Sequence, residues 1–454
     1  MDNAIFESRK ISRAYITLAL PLVFSMVVSL IYNLADTFFV AQTNNTDLVA
    51  GVSLGAPLFT FLMAFGNVFA QGGCSLISRL MGQKRDADVR RVSSFCFYVT
   101  LLCGVATGAL LLIFRDPVLR LLGADADTYR YASEYYTWLS AGSPVVMASF
   151  IHSNLLRSEG MSRESMAGTV SGAVVNMILD PILISAVGLG AAGAAIATVA
   201  GYVCSVAFFA WIVHRKSRKL SLDVRECRVS AAYVRQILGI GIPAALSNVM
   251  SSAAVIMVNQ FLLPFGNEKI AAMGIVLKSN MIVLLVLTGL AFGGQPLYGY
   301  YFGAGDTGRL RELLRFCVRF IGAVSLILSA AVFLAAPVLL RFFMDNDAIV
   351  SDGTVMLRLQ VVTMVFVGMV LLMTILCQSI GAVKESFLLS ISRQGVVFFV
   401  VLLAAYRLFG YNGVLISQAV ADVLSAGIAF FLFLRLRGRI FGTQADASAC
   451  QKSS

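Results

Sequence analysis

The sequence predicts an all-α integral membrane protein with twelve transmembrane helices in two six-helix lobes, related by a pseudo-two-fold axis along the membrane normal. Of the 454 residues, 58% are hydrophobic and 13% are charged, whereas a soluble domain has about a quarter charged residues. The hydrophobic residues form runs of roughly twenty, the length with which a helix crosses about 30 Å of hydrocarbon. A third observation, the repetition of the first half of the chain in the second, predicts the two lobes.

The hydrophobic runs place six spans in each half of the chain. The first run is too long for a cleaved signal and lacks a small-residue cleavage pattern, so we expect it to remain as the first spanning helix. Because six is an even number, both halves enter the membrane from the same side. The predicted spans are about residues 14–40, 50–76, 93–114, 131–156, 166–187 and 191–213, then 236–263, 271–299, 314–340, 355–378, 387–408 and 413–435.

The repeat has an offset of about 220 residues, and its landmarks occur in the same order in both halves. They are Pro21 and Pro243, Gly72-Gly73 and Gly293-Gly294, Pro117 and Pro337, Leu156–Gly160 and Cys377–Gly381, and Gly190 and Gly410. We therefore predict an N-terminal lobe at 1–213, a cytoplasmic linker at 214–235, and a C-terminal lobe with a short cytoplasmic tail at 236–454. In transporters built this way, the seam between the lobes is commonly the substrate path.

The net charge of +11 does not indicate a nucleic-acid partner, because the basic residues lie at the ends of the hydrophobic runs. Their excess on one side of the predicted membrane is the positive-inside pattern. We expect a multi-pass protein of the inner (plasma) membrane with both termini in the cytoplasm. The main basic clusters are Arg79, Lys84, Arg85, Arg90 and Arg91, then Arg215, Lys216, Arg218 and Lys219, then Arg309, Arg311, Arg315 and Arg319.

Acidic residues inside the predicted spans are the first functional candidates. A charge at mid-membrane costs at least about 2.5 kcal/mol, so a carboxylate kept there usually has a role. Asn33 and Asp36, three residues apart in the first span, share one helix face, as do Asn176 and Asp180, four apart in the fifth.

Further oxygen ligands lie close to these acids in the predicted helices. Pro181 leaves a carbonyl near Asp180 without its usual helical donor, and Thr198 of the sixth span adds a hydroxyl. Such a group of oxygens suits a hard cation such as Na⁺, or a proton-accepting pair of carboxylates. Two alternatives stay open: the acids cap helix ends near the outer surface, or the amides only pack between helices.

The acidic candidates are not duplicated in the second half. The repeat offset maps Asp36, Asn176 and Asp180 to apolar residues: Met257 or Val258, Val396 and Val400. A cluster needed only for the shared fold would occur in both halves, so its presence in one half points to a function.

Two other sets of residues are candidates for the substrate path. Asp422, in the twelfth span, has Tyr202 at its repeat position and is a candidate for ion or substrate contact, or a solvated position at the lobe interface. Methionine side chains suit a pliable apolar path for varied ligands, although packing explains any single one equally well. The candidates are Met26, Met63, Met147, Met257 and Met281.

Together these features resemble the multidrug and toxic compound extrusion (MATE) family of cation-coupled exporters, over nearly the whole chain. The resemblance rests on five motifs: Asn33-x-x-Asp36-x-Phe-Phe-Val, Arg79-Leu-Met-Gly82, Leu156-Arg157-Ser-Glu159-Gly160, Asn176-x-x-x-Asp180-Pro181 and Gly190-Ala-Ala-Gly193-Ala-Ala-Ile-Ala-Thr198.

The resemblance implies a cation or proton site in the N-terminal lobe and a central cleft for amphipathic, often cationic, compounds. The residues that match the family's ion site are Asp36, Asn176, Asp180 and Thr198. One branch of the family carries a glutamate in the seventh helix, where this chain has Ser251, and an aspartate in the tenth, where this chain has no acid. The chain is therefore more similar to bacterial branches that work through the N-lobe acids.

The implied activity is antiport: alternating access coupled to Na⁺ or H⁺, with no cofactor besides the coupling ion. The alternative is a lipid-linked oligosaccharide flippase of related architecture, which would need basic residues in the cleft for anionic head groups. We expect no enzymatic activity, because no clustered catalytic set is evident in the sequence. The expected partners are small-molecule substrates and membrane lipid, and we expect a monomer because two lobes already enclose a path.

Overall fold

The computed structural model describes residues 5–343 and 346–441, and this described part contains helices and no β-strand, which confirms the predicted all-α class. Its α-helices are α1 (Ile11–Ala41), α2 (Thr46–Ser53), α3 (Ala56–Gly82), α4 (Asp86–Ile113), α5 (Arg115–Leu121), α6 (Tyr129–Ala141), α7 (Ser143–Ser158), α8 (Ser162–Asp180), α9 (Gly190–Arg215), α10 (Ala231–Leu262), α11 (Asn267–Gly293), α12 (Gln295–Ala304), α13 (Thr307–Phe343), α14 (Asp347–Val362), α15 (Met364–Ser379), α16 (Val383–Ile391) and α17 (Val397–Phe441). Two π-helical segments cover Pro181–Ala186 and Ser392–Val396, and two 3₁₀ turns cover Val224–Glu226 and Leu263–Phe265.

Within the described residues, nine helices are long and apolar enough to cross a membrane, or ten if the pair α14 and α15, bent by 44°, forms one span. Two breaks in the helices account for the difference between this number and the twelve predicted spans. α6 and α7 are separated at Gly142, just before Pro144 in the first turn of α7. α17 is kinked at Gly410, whose φ of 56° and ψ of −127° lie outside the helical region and are tolerated by glycine. Joining α6 with α7 and dividing α17 at Gly410 gives the predicted number.

The described chain forms two compact units whose limits differ from the predicted domain boundaries. One unit comprises Phe24–Gly241, and the other comprises the residues up to Val23 together with those from Ile242 onward. α1 and α10 each change unit close to an internal proline, Pro21 or Pro243. Proline removes a backbone hydrogen bond and can kink a helix there.

Main-chain contact attaches the start of α10 to α3 within the Phe24–Gly241 unit. A Cβ atom on Gly72 would lie 2.1 Å from the carbonyl oxygen of Ile237, and one on Gly241 would lie 1.8 Å from that of Val68. No side chain fits at either position, so these two glycines allow the helices to touch. The first part of α10 therefore packs with the first half of the sequence.

The basic segment predicted as the linker is hydrogen-bonded to the end of α7 in the same unit. The Glu159 carboxylate accepts a hydrogen bond from the Ser217 hydroxyl at 2.5 Å. It also accepts from the backbone N–H groups of Arg218 at 3.1 Å and Lys219 at 3.3 Å. One half-buried carboxylate thus holds three successive residues of the segment.

The segment is also bonded to α4. The Ser94 hydroxyl donates to the Ser221 carbonyl at 3.0 Å, and the Tyr98 hydroxyl donates to the Leu222 carbonyl at 2.7 Å. Residues 217–222 of the predicted linker are therefore hydrogen-bonded to the Phe24–Gly241 unit, and we call this segment the strap.

Replacing Glu159 with glutamine is expected to make this strap about tenfold more susceptible to trypsin, which cleaves after basic residues such as the exposed Arg218. Hydrogen bonds to a charged group contribute about 1.5–3 kcal/mol, and a loss of about 1.4 kcal/mol raises the locally open population about tenfold. The rate of cleavage of the purified protein measures the effect. Glu134→Gln, which removes only an exposed ion pair with Arg130, is the control. Equal cleavage rates in wild type and Glu159→Gln would contradict the expected holding role.

Candidate functional site

Two carboxylates lie together inside the Phe24–Gly241 unit. Asp36 projects from α1 and is half-buried, and Asp180, the last residue of α8, has 0% of its surface exposed. The two groups are close enough for the charge of Asp36 to act on Asp180. Like charges repel strongly in a medium of low dielectric constant, so the pair favours a bound cation or proton.

The end of α8 shapes the surroundings of Asp180. The side-chain nitrogen of Asn176 donates to Asp180 Oδ1 at 3.3 Å, across one helical turn. Pro181 has no N–H, so the carbonyl of Met177 lacks its usual donor four residues later. The chain continues from there as the π-helical segment Pro181–Ala186, a rare geometry that often occurs at functional sites.

Close packing of α9 on α8 brings further polar side chains to this turn. A Cβ atom on Gly201 would lie 2.7 Å from the Gly172 carbonyl oxygen and 3.1 Å from Asn176 Cβ. Thr198 and Tyr202, four residues apart, share a face of α9. Thr198 is 7% exposed and Tyr202 is half-buried. The predicted Thr198 is therefore buried on α9, one helical turn before the glycine that contacts Asn176.

Three tyrosines near the acids were not predicted as site residues. The hydroxyl groups of Tyr32 and Tyr202 are 3.3 Å apart, and Tyr32 and Tyr135 both lie near the two acids. Tyr135 also belongs to the hydrophobic core of this unit. Two sequence signals were available: Tyr32 lies one helical turn before Asp36, and Tyr202 occupies the repeat position of Asp422.

Three oxygen atoms of the cluster are buried without a hydrogen-bond partner in the described part of the chain. They are Asp36 Oδ1, Asn176 Oδ1 and Asp180 Oδ2. Carboxylate and amide oxygens are acceptors, and an unpaired buried acceptor costs about 1–3 kcal/mol. A hard cation such as Na⁺ binds such oxygens, and a proton would turn one carboxylate into a donor for a neighbouring oxygen. The residues therefore fit either ion.

The remaining predicted residues have different surroundings. Asn33 is exposed, and its side-chain nitrogen donates to the Ser29 carbonyl at 2.6 Å within α1. Among the methionines proposed for a substrate path, exposure ranges from none to nearly half: Met147 is 0% exposed in the hydrophobic core, Met26, Met63 and Met257 are half-buried, and Met281 is 45% exposed.

The second half has no matching acidic cluster at the repeat positions. Val396 and Val400 are apolar and mainly exposed, at 59% and 57%. Asp422 is buried and forms an ion pair with Arg393, whose Nε lies 3.0 Å from Asp422 Oδ1. Arg393 was not among the predicted site residues, although a basic residue inside the predicted span 387–408 is itself a functional signal.

The chain is similar over most of its length to a known protein family. The MatE family profile matches residues 21–182 and 243–403. The chain is 31% identical over 435 residues to the multidrug export protein MepA of Staphylococcus haemolyticus (strain JCSC1435), and 30% identical to the protein of the same name from Staphylococcus aureus (strain MRSA252). In each case the match covers 96% of both chains.

Two solved structures have the same fold. An outward-facing multidrug resistance MATE family transporter of the MOP superfamily superposes with a TM-score of 0.89 at 24% identity, covering 98% of this chain and 99% of the other. A crystal structure of MATE in the bent conformation superposes with a TM-score of 0.88 at 26% identity, covering 98% and 97%.

Proposed function

The chain belongs to the MATE family of multidrug efflux transporters, and from this premise we propose that it is a cation-coupled antiporter exporting amphipathic, often cationic, small molecules. The coupling ion is Na⁺ or H⁺, and it binds at Asp36 and Asp180 with Asn176 and Thr198 beside them. The protein acts as a transporter without catalytic chemistry or a resident cofactor.

One observation carries the assignment of the coupling site. Three acceptor oxygens, on Asp36, Asn176 and Asp180, are buried without hydrogen-bond partners among the described residues. Two of them belong to acids that the repeat does not duplicate, so the fold alone does not require them. A bound cation or proton would satisfy these oxygens and reduce the repulsion between the carboxylates.

Coupling follows if the ion and the exported compound favour different states of the transporter. A ligand shifts a conformational equilibrium only through its differential affinity for the two states. Ion binding at the acids stabilises one state, substrate binding stabilises the other, and each therefore lowers the affinity for the other. Repeated exchange moves substrate outward while the ion moves inward.

The proposed function also implies a cellular location and an oligomeric state for the protein. The basic clusters support insertion in the inner (plasma) membrane with both termini in the cytoplasm. The half-buried Met26, Met63 and Met257 are adaptable apolar surfaces for varied substrates. The protein works as a monomer, since one chain contains both halves of the repeat.

Efflux from proteoliposomes tests the proposed coupling. Vesicles containing purified protein and a fluorescent lipophilic cation are given an inward sodium gradient, an inward proton gradient, both, or neither. We expect efflux with an ion gradient to be at least about tenfold faster than efflux from the same vesicles with neither gradient, and protein-free vesicles give the background leak.

The arms of this experiment distinguish the two ions. Acceleration by the sodium gradient at constant pH identifies Na⁺, and acceleration by the proton gradient without sodium identifies H⁺. Efflux that is equally fast with neither gradient would show facilitated diffusion and refute ion coupling.

A further inference from the structure

A second polar site lies in the unit that includes the residues from Ile242 onward, around the buried ion pair of Arg393 and Asp422. Arg393 Nε lies 3.0 Å from Asp422 Oδ1, and the two side chains are 14% and 1% exposed. The Gln418 side chain donates to the same oxygen at 3.0 Å, and the Thr363 hydroxyl lies 3.2 Å from Oδ2. Three donors thus surround the Asp422 carboxylate, and one of them, the guanidinium, carries a full positive charge. The carboxylate is therefore poorly suited to bind a further cation.

This site is located on the repeat counterpart of α9. With an offset of 220 residues, Gln418 and Asp422 correspond to Thr198 and Tyr202, the α9 residues beside the acidic cluster. Each half of the chain therefore has a polar site on the equivalent helix. The first is acidic and contains unpaired acceptors, whereas the second is internally neutralised and contains a guanidinium.

Arg393 lies in a segment of irregular backbone geometry. It belongs to the π-helical segment Ser392–Val396, in which Gly395 has φ −113° and ψ −112°, outside the helical region. Such segments often occur at functional sites. The bond from Nε to Asp422 fixes the plane of the guanidinium, so its outer nitrogens point in a defined direction.

The outer nitrogens of this guanidinium have capacity for a ligand. In the parts of the chain that the structure describes, the only side chain that bonds to Arg393 is Asp422, through Nε. The N–H groups on Nη1 and Nη2 therefore have no protein acceptor there, and the side chain keeps 14% exposure. The N–H groups of a guanidinium can form two parallel hydrogen bonds to the two oxygens of a carboxylate. These bonds are strong in a site that contains little water.

We propose that Arg393 recognises a carboxylate on the exported compound and that Asp422 is the positioning residue that orients its guanidinium. This inference rests on the proposed export function and adds that, among the exported amphipathic compounds, those that carry a carboxylate, including zwitterions, bind more tightly than matched compounds without one. The acidic cluster binds the coupling ion, and Arg393 binds the anionic end of the substrate.

A matched pair of fluorescent probes tests the proposal: a rhodamine with a free carboxylate and its methyl ester. Fluorescence anisotropy measures the affinity of each for the purified protein. We expect Arg393→Gln to weaken binding of the free acid by at least about tenfold and of the ester by less than about twofold, since a lost charged hydrogen bond corresponds to such a change. Arg407→Gln, which removes an exposed cation of α17, the helix that follows the π-helical segment, should leave both affinities unchanged.

Other variants protect the test against misfolding. Arg393→Gln leaves the Asp422 carboxylate buried without its cation, so the double variant Arg393→Gln/Asp422→Asn neutralises both charges together and should show the same selective loss. Arg393→Lys keeps the charge but cannot form the two parallel hydrogen bonds, and it should show an intermediate affinity for the free acid.

Three results would overturn the proposal: equal weakening of both probes, no weakening of either, or failure of the free acid to bind wild type where the ester binds. Ion-driven efflux of the ester separates this inference from the proposed function. If Arg393→Gln retains that efflux while the two probes lose affinity equally, the recognition role fails and the antiport mechanism stands.

Discussion

Replacing Asp36 with asparagine is expected to abolish ion-driven export while the protein remains folded. The amide keeps the shape of the carboxylate but has no negative charge for a cation and no titratable proton. Efflux of a fluorescent cation under either ion gradient should fall at least about tenfold, to the level of protein-free vesicles. Asp180→Asn should have the same effect, because the two acids act as one site.

The same substitution should not destabilise the protein, and this separates a coupling role from a structural one. The wild-type pair has repelling carboxylates and unpaired buried oxygens, so removal of one charge should keep or raise the melting temperature. Asp127→Asn, at an exposed acid of the same unit, is the control for both measurements. Export at the wild-type rate by well-folded Asp36→Asn would remove this residue from the mechanism.

Replacing Gly72 with alanine is expected to cause the largest loss of stability among single methyl additions in α3. The new Cβ would lie 2.1 Å from the carbonyl oxygen of Ile237 and 2.7 Å from its carbon. Main-chain atoms of a helix cannot rotate away as a side chain can, so α3 and α10 would have to separate. Overpacking of this kind costs about 1–3 kcal/mol or somewhat more, and the melting temperature in detergent and the yield of monodisperse protein should both fall.

Gly274→Ala is the matched control, since a Cβ atom there has no neighbour within 4 Å. Alanine is favoured over glycine in a helix by about 0.5–1 kcal/mol, so this variant should be unchanged or slightly more stable. If Gly72→Ala melts at the same temperature as Gly274→Ala, the close approach of α3 to the start of α10 is not a feature of the folded protein.

Much of the fold could be predicted from the sequence because its signals are local. Span length and amphipathic spacing depend on neighbouring residues, and the repeat is visible by direct comparison of the halves. The helix breaks were predicted unevenly. The kink at Gly410 lies between the predicted spans 387–408 and 413–435, and its φ of 56° is a conformation that glycine tolerates. The break at Gly142 lies inside the predicted span 131–156, and with φ −78° and ψ −6° this glycine keeps a helical-region conformation.

The candidate site was only partly predictable. Asp36 and Asp180 could be identified because a carboxylate inside a hydrophobic run is costly, and Asn176 followed from its helical spacing. Tyr32 and Tyr202 meet across 170 residues of chain, and no spacing rule relates them. Arg393 was overlooked, and its ion pair with Asp422 leaves that acid poorly suited to bind a coupling cation.

By itself, the sequence determined that the chain crosses a membrane many times, that it consists of a repeated unit, and that acids lie inside the hydrophobic part of one half. Only the tertiary structure decided which side chains meet, which compact unit each part of α1 and α10 joins, and that Asp422 is already paired with a cation. The reason is physical: hydrophobicity and helical periodicity act over a few residues, whereas pairing depends on how distant helices pack. The main-chain contact at Gly72, and the guanidinium beside Asp422, are set by that packing.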